Sequence, residues 1–137
     1  MQKIIVDTNV LVSSLIQRSY PYLVIEEIFK GSNVQLCVSE KLMLEYYAVL
    51  RRDKFSKYPD FVLRAEALLI DIERKAALFN PKLTLTVIAD FADNRLLELA
   101  VESHADYIIT GNTNDFTFSE YEGTKIISPK EYWDLLK

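Results

Sequence analysis

The feature that most constrains this chain is a set of short β-branched runs, each closed by polar residues and separated from the next by helical spacing. Lys3 to Val6 ends at Asp7, and Val34 to Val38, Tyr107 to Ile109 and Lys125 to Ile127 have the same character. Consecutive apolar positions in runs this short predict strands buried on both faces. Between them, Val10 to Ile16, Tyr22 to Phe29, Leu42 to Leu50, Phe61 to Leu78 and Leu96 to Val101 follow a helical period. A last helix over Lys130 to Leu136 is announced by Ser128 as N-cap and Pro129 in its first turn. Strands that alternate with helices predict a parallel sheet, because a parallel crossover needs a long connection that a helix fills. The fold class is therefore α/β.

The 137 residues match the size of one domain, and a single domain over 1–137 is expected, without repeats or a Gly-, Pro- or Ser-rich linker. Cys37 is the sole cysteine and lies within an apolar run, so it cannot form an internal disulfide and is expected to be a small buried hydrophobe. His104, the sole histidine, has no visible tie to it, which discounts thiol chemistry. No apolar run approaches the ~20 residues of a membrane span. Met1-Gln2-Lys3 leads straight into a strand rather than a signal peptide, so a cytoplasmic location without membrane contact is expected. A net charge of -4 and a pI near 5.0 argue against a broad nucleic-acid surface. The densest basic cluster is Arg51, Arg52, Lys54 and Lys57, in a turn between helices.

Open parallel sheets bind ligands beyond the carboxyl ends of their strands, so acids placed there carry most weight. Asp7 directly follows the first strand, where its alternative role is to cap the helix that begins at Thr8 or Asn9. Glu45 shares a helical stripe with Leu42 and Val49 beside Tyr46; its plainer role is to reach water or to pair with Arg52 or Lys41. Asp93 stands at the start of the apolar face that continues through Leu97, Ala100 and Val101, and it competes with Asp90 for a helix cap. The third strand ends in a polar loop that adds Thr110, Asn112, Asn114 and Asp115 to the edge holding Asp7.

Carboxylates gathered in a pocket raise one another's pKa unless a cation balances them. An oxygen-only donor set without Cys or His suits Mg²⁺ or Mn²⁺ rather than Zn²⁺. Such a cation activates water and offsets charge on phosphoryl oxygens.

Four segments in this order resemble the PIN-domain family over nearly the whole chain: Ile4 to Leu11, Ser39 to Leu50 around Glu45, Asp93 to Ala100, and Ala105 to Asn112. Within that family the resemblance is to the VapC-like toxin ribonucleases of prokaryotic toxin-antitoxin systems. It implies a three-layer fold with a central, mostly parallel sheet of four to five strands flanked by helices. The implied activity is Mg²⁺- or Mn²⁺-dependent endoribonuclease hydrolysis of RNA by metal-activated water. Asp7, Glu45 and Asp93 match the three principal acids, with Thr8, Asn9 and Thr110 as supporting polar residues. Asn112 stands where many relatives carry a fourth acid, and Asp115 is the candidate to replace it as a metal ligand. Arg95, Arg51 and Arg52 are candidates to steady RNA, and their plainer role is solvated charge. A small antitoxin partner and a homodimer are further implications.

Other α/β enzymes fit less well. Dehalogenase-type phosphatases need a second Asp where Asn9 stands, and the acid and Lys pattern of receiver domains is not evident. Gly-rich phosphate loops are missing from a chain with three glycines. The rival from another class is a catalytically weak or inactive PIN-like module that binds RNA or a protein partner, which Asn112 and the acidic pI favour and the intact acids oppose.

Overall fold

The computed structural model describes residues 1–31 and 33–136. The first strand, β1 (Gln2–Val6), runs through Asp7 into α1 (Thr8–Ile16) and α2 (Tyr20–Lys30). Then come β2 (Val34–Ser39), α3 (Glu40–Leu50), α4 (Phe61–Lys75) and β3 (Ala77–Phe79). The chain continues through α5 (Phe91–Ser103), β4 (Tyr107–Ile109), β5 (Glu120–Tyr121), β6 (Thr124–Ile127) and α6 (Pro129–Leu135). The described residues form one six-stranded sheet in the order β3-β2-β1-β4-β6-β5, in which only β5 is antiparallel.

Ile4, Ile5 and Val6 are all at most 1% exposed. Because successive strand residues point to opposite faces, β1 must be covered on both sides, which is why its sequence is apolar throughout rather than alternating. Helix α5 packs on β1 to β4, while α3 and α4 pack on β2 and on each other. Helix α2 packs on α1 and α6.

The sheet has six strands where four to five were expected. The Phe61 to Leu78 helical run stops at Lys75, Ala76 turns extended, and Ala77–Phe79 pairs with Cys37–Ser39. Helical spacing in that run is overridden because β2 would otherwise present an unpaired edge. At the opposite edge, β5 and β6 form a hairpin whose two turn residues, Glu122 and Gly123, have φ of 49° and 86°. Two positive φ values suit the twist of a two-residue hairpin, and glycine adopts one of them without strain.

Helix boundaries follow their caps. Ser39 accepts from the Leu42 amide at the start of α3, and Ser128, the predicted N-cap of α6, also forms a reciprocal capping box with Glu131. His104 ends α5 with φ 56°. Cys37 is fully buried and burial pushes its thiol up, in keeping with a packing role. No helix among the described residues is long and apolar enough to cross a membrane.

Candidate active site

Strand β1 has β2 on one side and β4 on the other, so the chain's connections diverge at its carboxyl end and leave a crevice there. Val6 pairs with Ile109, which places the next residues, Asp7 and Thr110, side by side. The Asp7 amide donates to Ile109 at 2.9 Å, and Thr110 Oγ1 donates to Asp7 Oδ2 at 2.8 Å. Asp7 does occupy the N-cap position of α1, yet its side chain makes no capping hydrogen bond. Burial pushes its carboxyl up, the Thr110 hydroxyl pulls the other way, and the Glu45 charge pushes it up further.

Glu45 reaches the same crevice from α3, where the Thr8 hydroxyl donates to its Oε2. Thr8 thus orients Glu45, and Thr110 alone of the two threonines orients Asp7. Glu45 makes no ion pair with Arg52 or Lys41 among the described residues. Tyr46, fully buried, donates its hydroxyl to the Val6 carbonyl and so ties α3 to the end of β1 beside both acids.

The competition at α5 is resolved in space. Asp90 is the N-cap and accepts from the Asp93 amide at 3.1 Å, which frees the Asp93 side chain from capping. Asp93 is 7% exposed and its Oδ2 has no hydrogen-bond partner among the described residues. Burial, and then the charges of Asp90, Asp7, Asp115 and Glu45, push its carboxyl up from 3.8 to about 6. Asp7, Glu45 and Asp93 line one small cleft of about 60 Å³ with Ser39, Lys41, Ala92, Arg95, Leu96 and Leu99.

Apart from Arg95, the remaining sequence candidates fall outside that cleft. Asp115 ends a short 3-10 turn, exposed, with its charge reaching Asp93. Asn112 is exposed and engages through its backbone amide, which donates to Thr110 Oγ1 at 3.0 Å; Asn9 is exposed as well. Arg51 pairs with Glu66 at 2.8 Å and lies over the Tyr47 ring, beyond the far end of α3 from Ser39, and exposed Arg52 follows it. Arg95 lines the cleft, but its guanidinium pairs with Glu98, donates to the Leu85 carbonyl at 2.9 Å and stacks over Phe91.

Two features escaped the sequence reading. Asn94 accepts from the Val87 and Ile88 amides and donates to the Ile88 and Asp90 carbonyls, strapping the incoming segment to α5 at the turn that carries Asp93. A polar residue next to an acid in a first helical turn gives no warning of that role. Lys82 lines a neighbouring groove from a loop, where spacing carries no information about direction.

The donor set fits a hard divalent cation: it is all oxygen, acidic, and includes a buried carboxylate oxygen without a partner. Among the described residues no three acids, histidines or cysteines already converge at cage spacing. Mg²⁺ does not need such a cage, since it keeps several waters and takes one or two carboxylates.

The PIN-domain family model matches residues 3–114, and the chain belongs to that family. Among solved structures, a chain of VapBC2 from Rickettsia felis, crystallised bound to a DNA fragment from their promoter, is similar in fold. It aligns with a TM-score of 0.60 and 15% identity, covering 93% of this chain and 98% of that one. No curated protein matches.

Proposed function

We propose that this chain is a metal-dependent endoribonuclease and the toxin component of a toxin-antitoxin pair. The observation that carries the reading is the partnerless Asp93 oxygen, buried beside Asp7 and Glu45 at the carboxyl edge of the sheet. Three acids are held there against their mutual repulsion, and burial, followed by the charges of the neighbouring acids, raises the Asp93 carboxyl to about 6, where a counter-charge would lower it again. A divalent cation supplies that counter-charge and, when bound, activates water and offsets negative charge on a scissile phosphate.

In this account Asp7 and Asp93 hold Mg²⁺ or Mn²⁺, and Glu45 binds it directly or through water. Thr110 presents Asp7 in a fixed rotamer, Thr8 does the same for Glu45, and Tyr46 fixes the distance between their two elements. Asp115 adds charge from the rim in place of the acid missing at Asn112. One similar solved structure is of VapBC2, which supports an antitoxin partner and an oligomer for this chain as well.

Labelled single-stranded and structured RNAs incubated with Mn²⁺, Mg²⁺ or EDTA test the activity. Cleavage that needs metal and vanishes in Asp7→Asn and Asp93→Asn is expected. Cleavage unaltered in both variants belongs to a contaminant, and its absence from folded, metal-bound wild type favours a binding module. Isolation of the native complex without a small partner would contradict the antitoxin assignment.

A further inference from the structure

A groove of about 380 Å³ opens beside the carboxylate cleft, between the 80–84 segment, the start of α3 and one face of α5. The two share Ser39, Lys41 and Arg95, so one leads directly into the other. The groove's charges are not equivalent. Glu98 is occupied by Arg95 and by the Leu85 amide at 2.7 Å, and Arg95 is occupied by Glu98 and the Leu85 carbonyl. Lys41, Lys82 and Glu40 are exposed, and among the described residues none of these three charged groups has a hydrogen-bond or ion-pair partner.

Two free cations, against the one free carboxylate of Glu40, therefore stand on the approach to an acidic cleft in a chain of net charge -4. The lining also offers apolar surface from Leu44, Pro81 and Leu83. Cations that take phosphates, interleaved with apolar surface that takes base faces, are what an unpaired polynucleotide strand requires. The groove's volume is that of a small-ligand pocket rather than of a duplex.

We propose that this groove binds single-stranded RNA, with Lys41 and Lys82 on backbone phosphates and Lys41 at the phosphate nearest the carboxylates. The direction of the strand towards the cut rests on the nuclease reading above; the binding itself does not. Arg95, the sequence candidate for this task, instead holds the groove wall in place through Leu85 and Glu98. The lysines are the contacts left for the ligand.

The test is fluorescence anisotropy in EDTA, so that no cleavage is needed, with a labelled single-stranded RNA of about eight nucleotides. Wild type is compared with Lys41→Gln/Lys82→Gln and with the control Lys30→Gln/Lys125→Gln, whose positions line neither the groove nor the cleft. Removal of the groove pair is expected to weaken binding on the order of tenfold and to lower the salt slope by about 1.4, at about 0.7 per phosphate contact. The control pair keeps wild-type binding, and thermal melts verify that all proteins fold alike.

Equal binding by the groove variant and wild type overturns the proposal, as does no binding by wild type at low salt. Polyglutamate bound through these lysines in preference to RNA assigns the groove to a protein partner and also overturns it. Lysine-dependent RNA binding by a protein that never cleaves RNA would sink the nuclease reading and leave this one standing.

Discussion

Thr110 Oγ1 donates to Asp7 Oδ2 at 2.8 Å across the boundary between β4 and β1, joining residues 103 positions apart. The hydroxyl is fully buried and also accepts from the Asn112 amide, so one side chain fixes both an acid and the start of the following loop. Thr110→Val keeps the shape and removes both bonds. It is expected to cost about 2 kcal/mol in urea unfolding and to weaken Mn²⁺ affinity at least tenfold, with Thr110→Ser restoring most of both. Wild-type metal affinity in the valine variant would contradict the assignment.

Asp93 gives the clearest pH signature. Unfolded, it ionises near 3.8; folded, near 6. Between those values the folded state holds the additional proton, so this group's contribution to stability falls as pH rises from 4 to 6 and stays lost above. Asp93→Asn should therefore raise the Tm of metal-free protein at pH 7.5 and raise it only about a third as much at pH 4.5, where the unfolded carboxyl is already largely ionised. The gain is bounded at about 3 kcal/mol by the rise in pKa. Equal destabilisation at both pH values would show that Asp93 is a structural hydrogen-bonding group.

Asn94 satisfies two amides and two carbonyls of the segment leading into α5. At about 0.5–1.5 kcal/mol per bond, Asn94→Ala should cost about 3 kcal/mol, because the buried backbone groups lose their partners. Hydrogen exchange should speed up at Val87 and Ile88 before the rest of the chain. Unchanged exchange there would mean that the strap is redundant.

Asn112 is the departure from the pattern of four acids; it is exposed and lies in the same loop as Asp115, whose charge acts on Asp93. Asn112→Asp should strengthen Mn²⁺ binding several-fold and lower the metal-free Tm, both from added like charge. Calorimetry in parallel with melts checks the pair of effects. Weaker metal binding would place the residue outside the cation's reach.

The strands around the site were legible because double burial forces apolar runs, and Asp7 was legible because it follows one of them. The 77–79 strand was not, since three residues at a sheet edge are fixed by what β2 needs rather than by their own spacing. Local sequence left the roles of Asp90 and Asp93 open. Only the fold shows the cap going to Asp90 and the free oxygen to Asp93. The partners of Thr8 and Thr110 are likewise long-range choices: each hydroxyl serves an acid on a different element.

The measurement that tests the account most directly is a Mn²⁺ titration of the purified protein at pH 7.5, followed by calorimetry and by Tm, for wild type, Asp7→Asn, Glu45→Gln and Asp93→Asn. Wild type is expected to bind Mn²⁺ and to gain thermal stability from it, with both effects falling steeply in Asp7→Asn and Asp93→Asn and less so in Glu45→Gln. Binding of equal strength in all four proteins, or a wild type whose Tm does not respond to Mn²⁺, would contradict a cation site built from these carboxylates.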